Sequence, residues 1–211
     1  MNFGPHFRGM IRCIYASIQS AILSNGYLSE YFDLERGVRQ GCPLSPLLFV
    51  LVAEVFGQAI RKCPEIQGFR IPGGREVRIS QYADDNTCIV TNSYGIGKVF
   101  DLFNEYGRAS GARLNTSKSK GLWLGRWRKR TDSPCGLSWV STSLKIVGLH
   151  YGDENACTRT WDDVYGKFGA VLRKWESRFL TLRGKTTVLE SLAVSTIWHA
   201  AKIYHLEVCV V

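Results

Sequence analysis

The sequence predicts an α+β fold, with helices and short strands mixed over most of its length and a small helical region at the C-terminal end. Three observations lead there. Apolar residues recur at helical spacing within 10–23, 46–60 and 96–109; two β-prone stretches flank Asp84-Asp85, with further short β-prone runs beyond Gly111; and from Trp161 onward the spacing is helical again. The chain has 211 residues, of which 45% are hydrophobic, 12% aromatic and 21% charged, so it can bury a sizeable core. Global disorder is excluded, and one domain with a small appendage is expected.

Each element has its own warrant. In 10–23, Ile11, Ile14, Tyr15, Ile18 and Ile22 fall on one face of an amphipathic helix. Asn25-Gly26 is a turn signal, with short strands expected around it through Leu34. Gly37 to Ser45 is a loop with two glycines and a proline. Ser45-Pro46 reads as an N-cap followed by proline in the first helical position, opening an apolar helix through about Ile60 that belongs at the centre of the core. Residues 77–83 and 86–90 then form a hairpin, with Asp84 and Asp85 as its two-residue turn.

A third helix over 96–109 carries Val99, Phe100, Leu102, Phe103 and Tyr106, and Gly111 can cap its end. Leu114, Leu122 to Leu124 and Leu144 to Leu149 suggest short strands, separated by a polar, turn-rich stretch over 126–142. Val164, Phe168, Val171, Leu172 and Trp175 give a helix that breaks at Thr181 to Gly184; a second, with Val188, Leu189, Leu192 and Trp198, completes a helical hairpin. A soft boundary at 153–160 divides the chain into 1–152 and 153–211.

The longest apolar run, Leu47 to Ala53, is far short of the roughly 20 residues that span a bilayer, so no membrane partner is expected. Gly4, Pro5, His6 and Arg8 stand where a secretory signal would be apolar. The seven cysteines are odd in number, scattered, and set among apolar neighbours such as those of Cys88, which fits neither a zinc site nor a disulfide framework. An intracellular protein, cytoplasmic or nuclear and not secreted, is expected.

A formal charge of +9 and a pI near 9.3 favour a polyanionic partner. Arg108, Arg113, Lys118, Lys120, Arg126, Arg128, Lys129 and Arg130 all lie in 106–131, which holds no acid. Arg126, Arg128, Lys129 and Arg130 are the candidates for nucleic-acid backbone contacts, a solvated basic loop being the alternative. Trp123 and Trp127, set among them, read as core or loop-anchoring rings rather than base stackers.

Two adjacent aspartates can be a turn and nothing more. They are also what a hard divalent cation needs, because Mg²⁺ is held by one or two carboxylates together with substrate phosphates. The surrounding residues favour the second reading. Tyr82-Ala83-Asp84-Asp85, preceded by Arg36-Gly37-Val38-Arg39-Gln40-Gly41-Cys42-Pro43-Leu44-Ser45-Pro46, resembles the reverse transcriptases, especially those of non-LTR (LINE-type) retrotransposons. Gly111-Ala112-Arg113-Leu114-Asn115 with Lys118 fits the same pattern, as does 144–152 in the place of the primer-grip hairpin. Trp175 to Lys185, with Leu180-Thr181-Leu182-Arg183-Gly184-Lys185, looks like the segment that follows the polymerase core in LINE-type elements, and argues against the weaker likeness to intron maturases and telomerase.

The resemblance implies a partial right-hand polymerase fold, a palm with its catalytic hairpin and central apolar helix, followed by a thumb-like helical region. It implies RNA-directed DNA synthesis from deoxynucleoside triphosphates on an RNA template and DNA primer, with Mg²⁺ or Mn²⁺ at Asp84 and Asp85. Tyr82 would line the site near the primer end, Gln40 and Gly41 would contact template or nucleotide, and Lys118 would lie towards the triphosphate. The family's third aspartate comes from an earlier palm strand, and no acidic residue precedes Glu30 here. The chain therefore reads as an N-terminally truncated polymerase piece, inactive alone. The alternative is a non-catalytic nucleic-acid-binding remnant; no protein partner is legible.

Overall fold

The computed structural model describes residues 2–34, 37–38 and 41–204. It is an α+β protein, and among the described residues the strands pair two by two in six small sheets. Helix α1 (Pro5–Tyr15) comes first. It lies several residues ahead of the expected 10–23, because Pro5 opens the first turn and Gln19–Ser20 (β1) is drawn into pairing with Phe32–Asp33 (β4). Between them Leu23–Ser24 (β2) and Tyr27–Leu28 (β3) form a hairpin around Asn25-Gly26. Both turn residues take positive φ, 50° and 85°, which is what the Asn-Gly pair supplies.

Helix α2 (Ser45–Lys62) has Leu44 at its cap, so Ser45 is the first helical residue and not the cap. Its buried hydroxyl lies 3.0 Å from the Tyr15 hydroxyl, an interaction that ties α1 to the head of α2 and occupies the group expected to cap. Only the C-terminal half of α2 is central to the core, where Phe56 and Ile60 are buried; Leu47, Val50, Val52 and Val55 face solvent. The chain then makes two hairpins, Phe69–Arg70 (β5) with Glu76–Val77 (β6) and Ile79–Tyr82 (β7) with Asp85–Cys88 (β8). Helix α3 (Ser93–Ser110) follows and ends, as expected, on Gly111 with φ 76°.

Phe56, Ile60, Cys63, Ile66 and Ile79 form one core, closed by Val99, Leu102, Phe103 and Tyr106 from α3. The Phe56 and Phe103 rings meet edge to face at 5.4 Å, a favoured aromatic geometry. Beyond α3 no strand forms at Leu114. Lys120–Leu122 (β9) pairs in parallel with Ser138–Val140 (β10), a strand inside the stretch read as polar and turn-rich. Three residues are too few to show a period, and their partner lies far along the chain.

Ser143–Ile146 (β11) and Leu149–Gly152 (β12) make a hairpin around Val147-Gly148, where both φ values are positive. Helix α4 (Ala156–Glu176) packs on it. The break falls earlier than expected, at Ser177 to Thr181: the Thr181 hydroxyl caps α5 (Leu182–Val188), so Leu182 to Gly184 begin the helix. A π-helical turn over Leu189–Val194 leads into α6 (Ser195–Ala201). Leu149, Trp161, Val164 and Ala200 form the second core, joining the hairpin of residues 143–152 to the helices. No helix among the described residues is long and apolar enough to cross a membrane.

The two halves of α2 should respond differently to truncation. Ile60→Ala empties a fully buried site and should cost about 2–5 kcal/mol, whereas Val52→Ala, at a half-exposed site, should stay within about 0.5 kcal/mol. Urea midpoints followed by far-UV circular dichroism measure both; equal losses would show that the core has been misplaced.

Candidate active site

The β7–β8 hairpin is built from its inner end outward. Ile79 is buried against α2 and lies opposite Cys88; Ser80 then pairs with Thr87, Gln81 with Asn86, and Tyr82 with Asp85. The turn is therefore Ala83-Asp84, one residue earlier than the Asp84-Asp85 turn expected. The core sets this. Sliding the register by one would send Ile79 to the solvent face. Ala83 accepts φ of +50°, a region costly for a residue with a Cβ, of order 1–2 kcal/mol. Asp84 occupies the turn and Asp85 opens the returning strand, so both residues are exposed at the tip, with Tyr82 directly opposite Asp85. Among the described residues, no hydrogen bond or ion pair engages either carboxylate, and no group of three or more His, Cys, Asp or Glu could hold a metal ion.

Behind the tip the hairpin is bolted to α2. The Gln81 amide donates to the Ala53 carbonyl at 3.2 Å and to Asn86 Oδ1 at 3.0 Å, while the Asn86 amide donates to the Asp84 carbonyl at 3.3 Å. Gly57 makes room for this: a Cβ there would overlap Gln81 Oε1. Neither Gln81 nor Gly57 stands out among the candidate residues in the sequence; the only signal is a glycine inside an apolar helix, which commonly marks a close approach. Cys88 lies on the inner side, and burial pushes its thiol pKa up to about 11.

The other candidates are dispersed. Gln40 lies outside the described residues. Gly41 precedes α2 with φ 83°, and a Cβ there would meet nothing, so backbone conformation rather than space calls for glycine. Lys118 sits in the turn after α3, its backbone N–H donating to Asn115, and its exposed ammonium has no partner among the described residues.

The basic stretch divides into anchors and free heads. Trp123 is buried and stacks on Trp139 at 4.0 Å, with Trp127 edge-on at 5.7 Å. This stack needs Gly121, whose Cβ would overlap the Trp139 ring. The Arg130 guanidinium lies over both Trp123 and Trp127, at 4.6 and 5.1 Å. Its fork donates to both carboxylate oxygens of Asp132 at 2.7 and 2.6 Å, and its remaining amine reaches the Ser93 hydroxyl at 2.8 Å. Asp132 thereby holds the Arg130 pKa up, and Arg130 holds the Asp132 carboxyl down. Arg128 donates to the Ser141 carbonyl at 3.1 Å. Arg126 and Lys129 are left exposed, with no partner among the described residues.

Residues 3–151 match the family model described as reverse transcriptase (RNA-dependent DNA polymerase). Over 203 residues the chain is 32% identical to the transposon TX1 uncharacterized 149 kDa protein of Xenopus laevis, a match covering 94% of this chain and 15% of that protein. It is 29% identical over 112 residues to the retrovirus-related Pol polyprotein from the type-2 retrotransposable element R2DM of Drosophila melanogaster, covering 53% of this chain and 10% of the relative. The chain thus spans only a small part of each relative's length.

The buried face of the hairpin can be read chemically. Cys88, with its pKa near 11, presents almost no thiolate at neutral pH, so iodoacetamide should label it far more slowly than exposed Cys13. Peptide mass spectrometry after timed labelling at about pH 7.5 measures this; equal rates would mean that the hairpin does not seat on α2.

Proposed function

This chain belongs to the reverse transcriptase (RNA-dependent DNA polymerase) family, on the branch of the non-LTR retrotransposons, and from that premise we propose that its hairpin tip is the nucleotidyl-transfer site of a larger polymerase. One observation carries the proposal. Two adjacent carboxylates, unpaired among the described residues, project from a hairpin whose other end is fixed in the core, and nothing in the fold explains them as a structural pair. Two hard oxygen donors beside open solvent fit Mg²⁺ or Mn²⁺, with the remaining positions left to water and substrate phosphates. Asp84 and Asp85 would hold such an ion, which would supply positive charge for activating a primer 3′-hydroxyl and stabilising departing pyrophosphate.

The chain's own residues set the stage. Gln81 and Asn86 hold the turn, so Asp84 and Asp85 keep their places relative to α2. Tyr82, paired with Asp85, takes the primer-end role that the family likeness gives it, and Gln40, Gly41 and Lys118 take those towards template and triphosphate. Among the described residues no third acidic side chain joins Asp84 and Asp85 at the tip. The proposed partners are an RNA template, a DNA primer and deoxynucleoside triphosphates, with the duplex backbone met by Arg126 and Lys129. Arg128 and Arg130 shape the loop that presents those two.

Two experiments test this reading. The chain alone should not extend a DNA primer on RNA with Mg²⁺ or Mn²⁺. Fused behind the fingers and first palm strand of a close LINE-type relative it should do so, and Asp84→Asn or Asp85→Asn should each lower the rate by at least about 10²-fold to 10³-fold in a folded protein. Near-normal rates in both variants would reduce the tip to a plain turn. Separately, Arg126→Ala with Lys129→Ala should flatten the salt dependence of duplex binding by up to about two units, roughly one per phosphate contact. An unchanged slope would make them solvated surface.

A further inference from the structure

The sequence carries a second run of cations, from Lys167 to Lys185: Lys167, Arg173, Lys174, Arg178, Arg183 and Lys185 against the single acid Glu176. The fold gathers most of it at the corner where α4 turns into α5. Arg173 and Lys174 occupy the last turn of α4, and Arg183 and Lys185 the first turns of α5; all four are exposed, with no ion-pair partner among the described residues. Arg178 is exposed as well, and its guanidinium lies 4.8 Å over the Trp175 ring. That contact orients the head while leaving its N–H edges to solvent.

The corner itself is firmly made. The Thr181 hydroxyl accepts from the Gly184 N–H at 3.2 Å, and Leu180 turns back over Gly184. With its neighbours held on both sides, Phe179 stands wholly in solvent at 108% exposure, and Leu182 follows at 84%. A single exposed apolar side chain is ordinary. A bare aromatic ring in a stretch with five exposed cations, none of them in an ion pair among the described residues, is different, because it joins the two elements that a single-stranded polynucleotide requires: charge for the phosphates and a flat face for a base.

We propose that the α4–α5 corner is a second nucleic-acid surface, which binds single-stranded polynucleotide with a base stacked on Phe179. A duplex keeps its bases stacked on each other and offers this ring nothing, so single strands are favoured. The surface extends the nucleic-acid reading of the chain but uses neither the hairpin tip nor the 106–131 cluster.

Fluorescence anisotropy of the full chain with a labelled oligouridylate of about 20 nucleotides, and with a blunt duplex of similar length, decides the matter. Phe179→Ala should weaken oligouridylate binding by about 5- to 150-fold and leave duplex binding nearly unchanged, and Phe179→Trp should restore it. Because Phe179 packs on nothing, the variant should keep the wild-type circular dichroism. Replacing Arg178, Arg183 and Lys185 together by Ala should flatten the single-strand salt slope by about two units. Wild-type affinity in Phe179→Ala, with binding lost instead in Arg126→Ala/Lys129→Ala, would overturn the proposal and leave the first surface standing; no change in either set would overturn both. Phe179-dependent binding to phosphatidylcholine–phosphatidylserine vesicles, with none to oligouridylate, would make the corner a lipid surface and overturn it too.

Discussion

The seat of the β7–β8 hairpin on α2 is the contact on which the rest of the molecule's chemistry depends. Ile79 must be buried beside Phe56 and Ile60, and that demand fixes which residue faces which across the strands. Gln81 then reaches the α2 backbone past Gly57, where a Cβ would make its side-chain amide shift. From Gln81 the hydrogen bonds pass to Asn86 and on to the Asp84 carbonyl, so the exposed turn inherits its position from a buried helix. The strain at Ala83 is the local cost of closing the strands in that register, and is sustained by the contacts behind it.

A comparable arrangement governs the second half. Leu149 is buried between Trp161, Val164 and Ala200, and several polar contacts bind the β11–β12 hairpin to the helices. Lys145 and His150 on the hairpin both meet Asp163 of α4, the Tyr204 hydroxyl donates to the His150 carbonyl at 2.6 Å, and His199 of α6 lies 2.9 Å from the Val147 carbonyl. These bonds fall on either side of the tight Val147-Gly148 turn, so the hairpin and the helical tail are held as one unit. Hydrogen bonds from Lys145 and then His150 hold the Asp163 carboxyl below its ordinary value.

Local chemistry was legible in the sequence and long-range accommodation was not. Asn25-Gly26 and Gly111 announced a turn and a cap because the left-handed backbone they adopt is cheap for those residues. The hairpin bearing Asp84 and Asp85 was legible as a hairpin. Its register was not, because Ala83, a residue poorly suited to positive φ, was the one placed there. Ser45 looked like a cap because nothing local shows that Tyr15, far along the chain, occupies its hydroxyl. The basic cluster shows the same limit: Arg130 is indistinguishable from Arg126 by composition, yet Asp132, Ser93 and two tryptophans claim it. The candidate residues come from motif likeness; the residues that brace their hairpin, Gln81 and Gly57, became visible only through contacts.

The solvent-facing ridge of Leu47, Val50, Val52 and Val55 has a colloidal consequence. Such a ridge favours self-association, and in dilute buffer the mutual repulsion of molecules carrying +9 opposes it. Salt shortens the reach of that repulsion, from about 10 Å at 0.1 M to about 3 Å at 1 M, and leaves the apolar attraction in place. The ionic strength that would strip phosphates held by charge alone is therefore also the ionic strength at which these molecules approach one another most freely, so dispersal of the protein rests on how far its own net charge is screened.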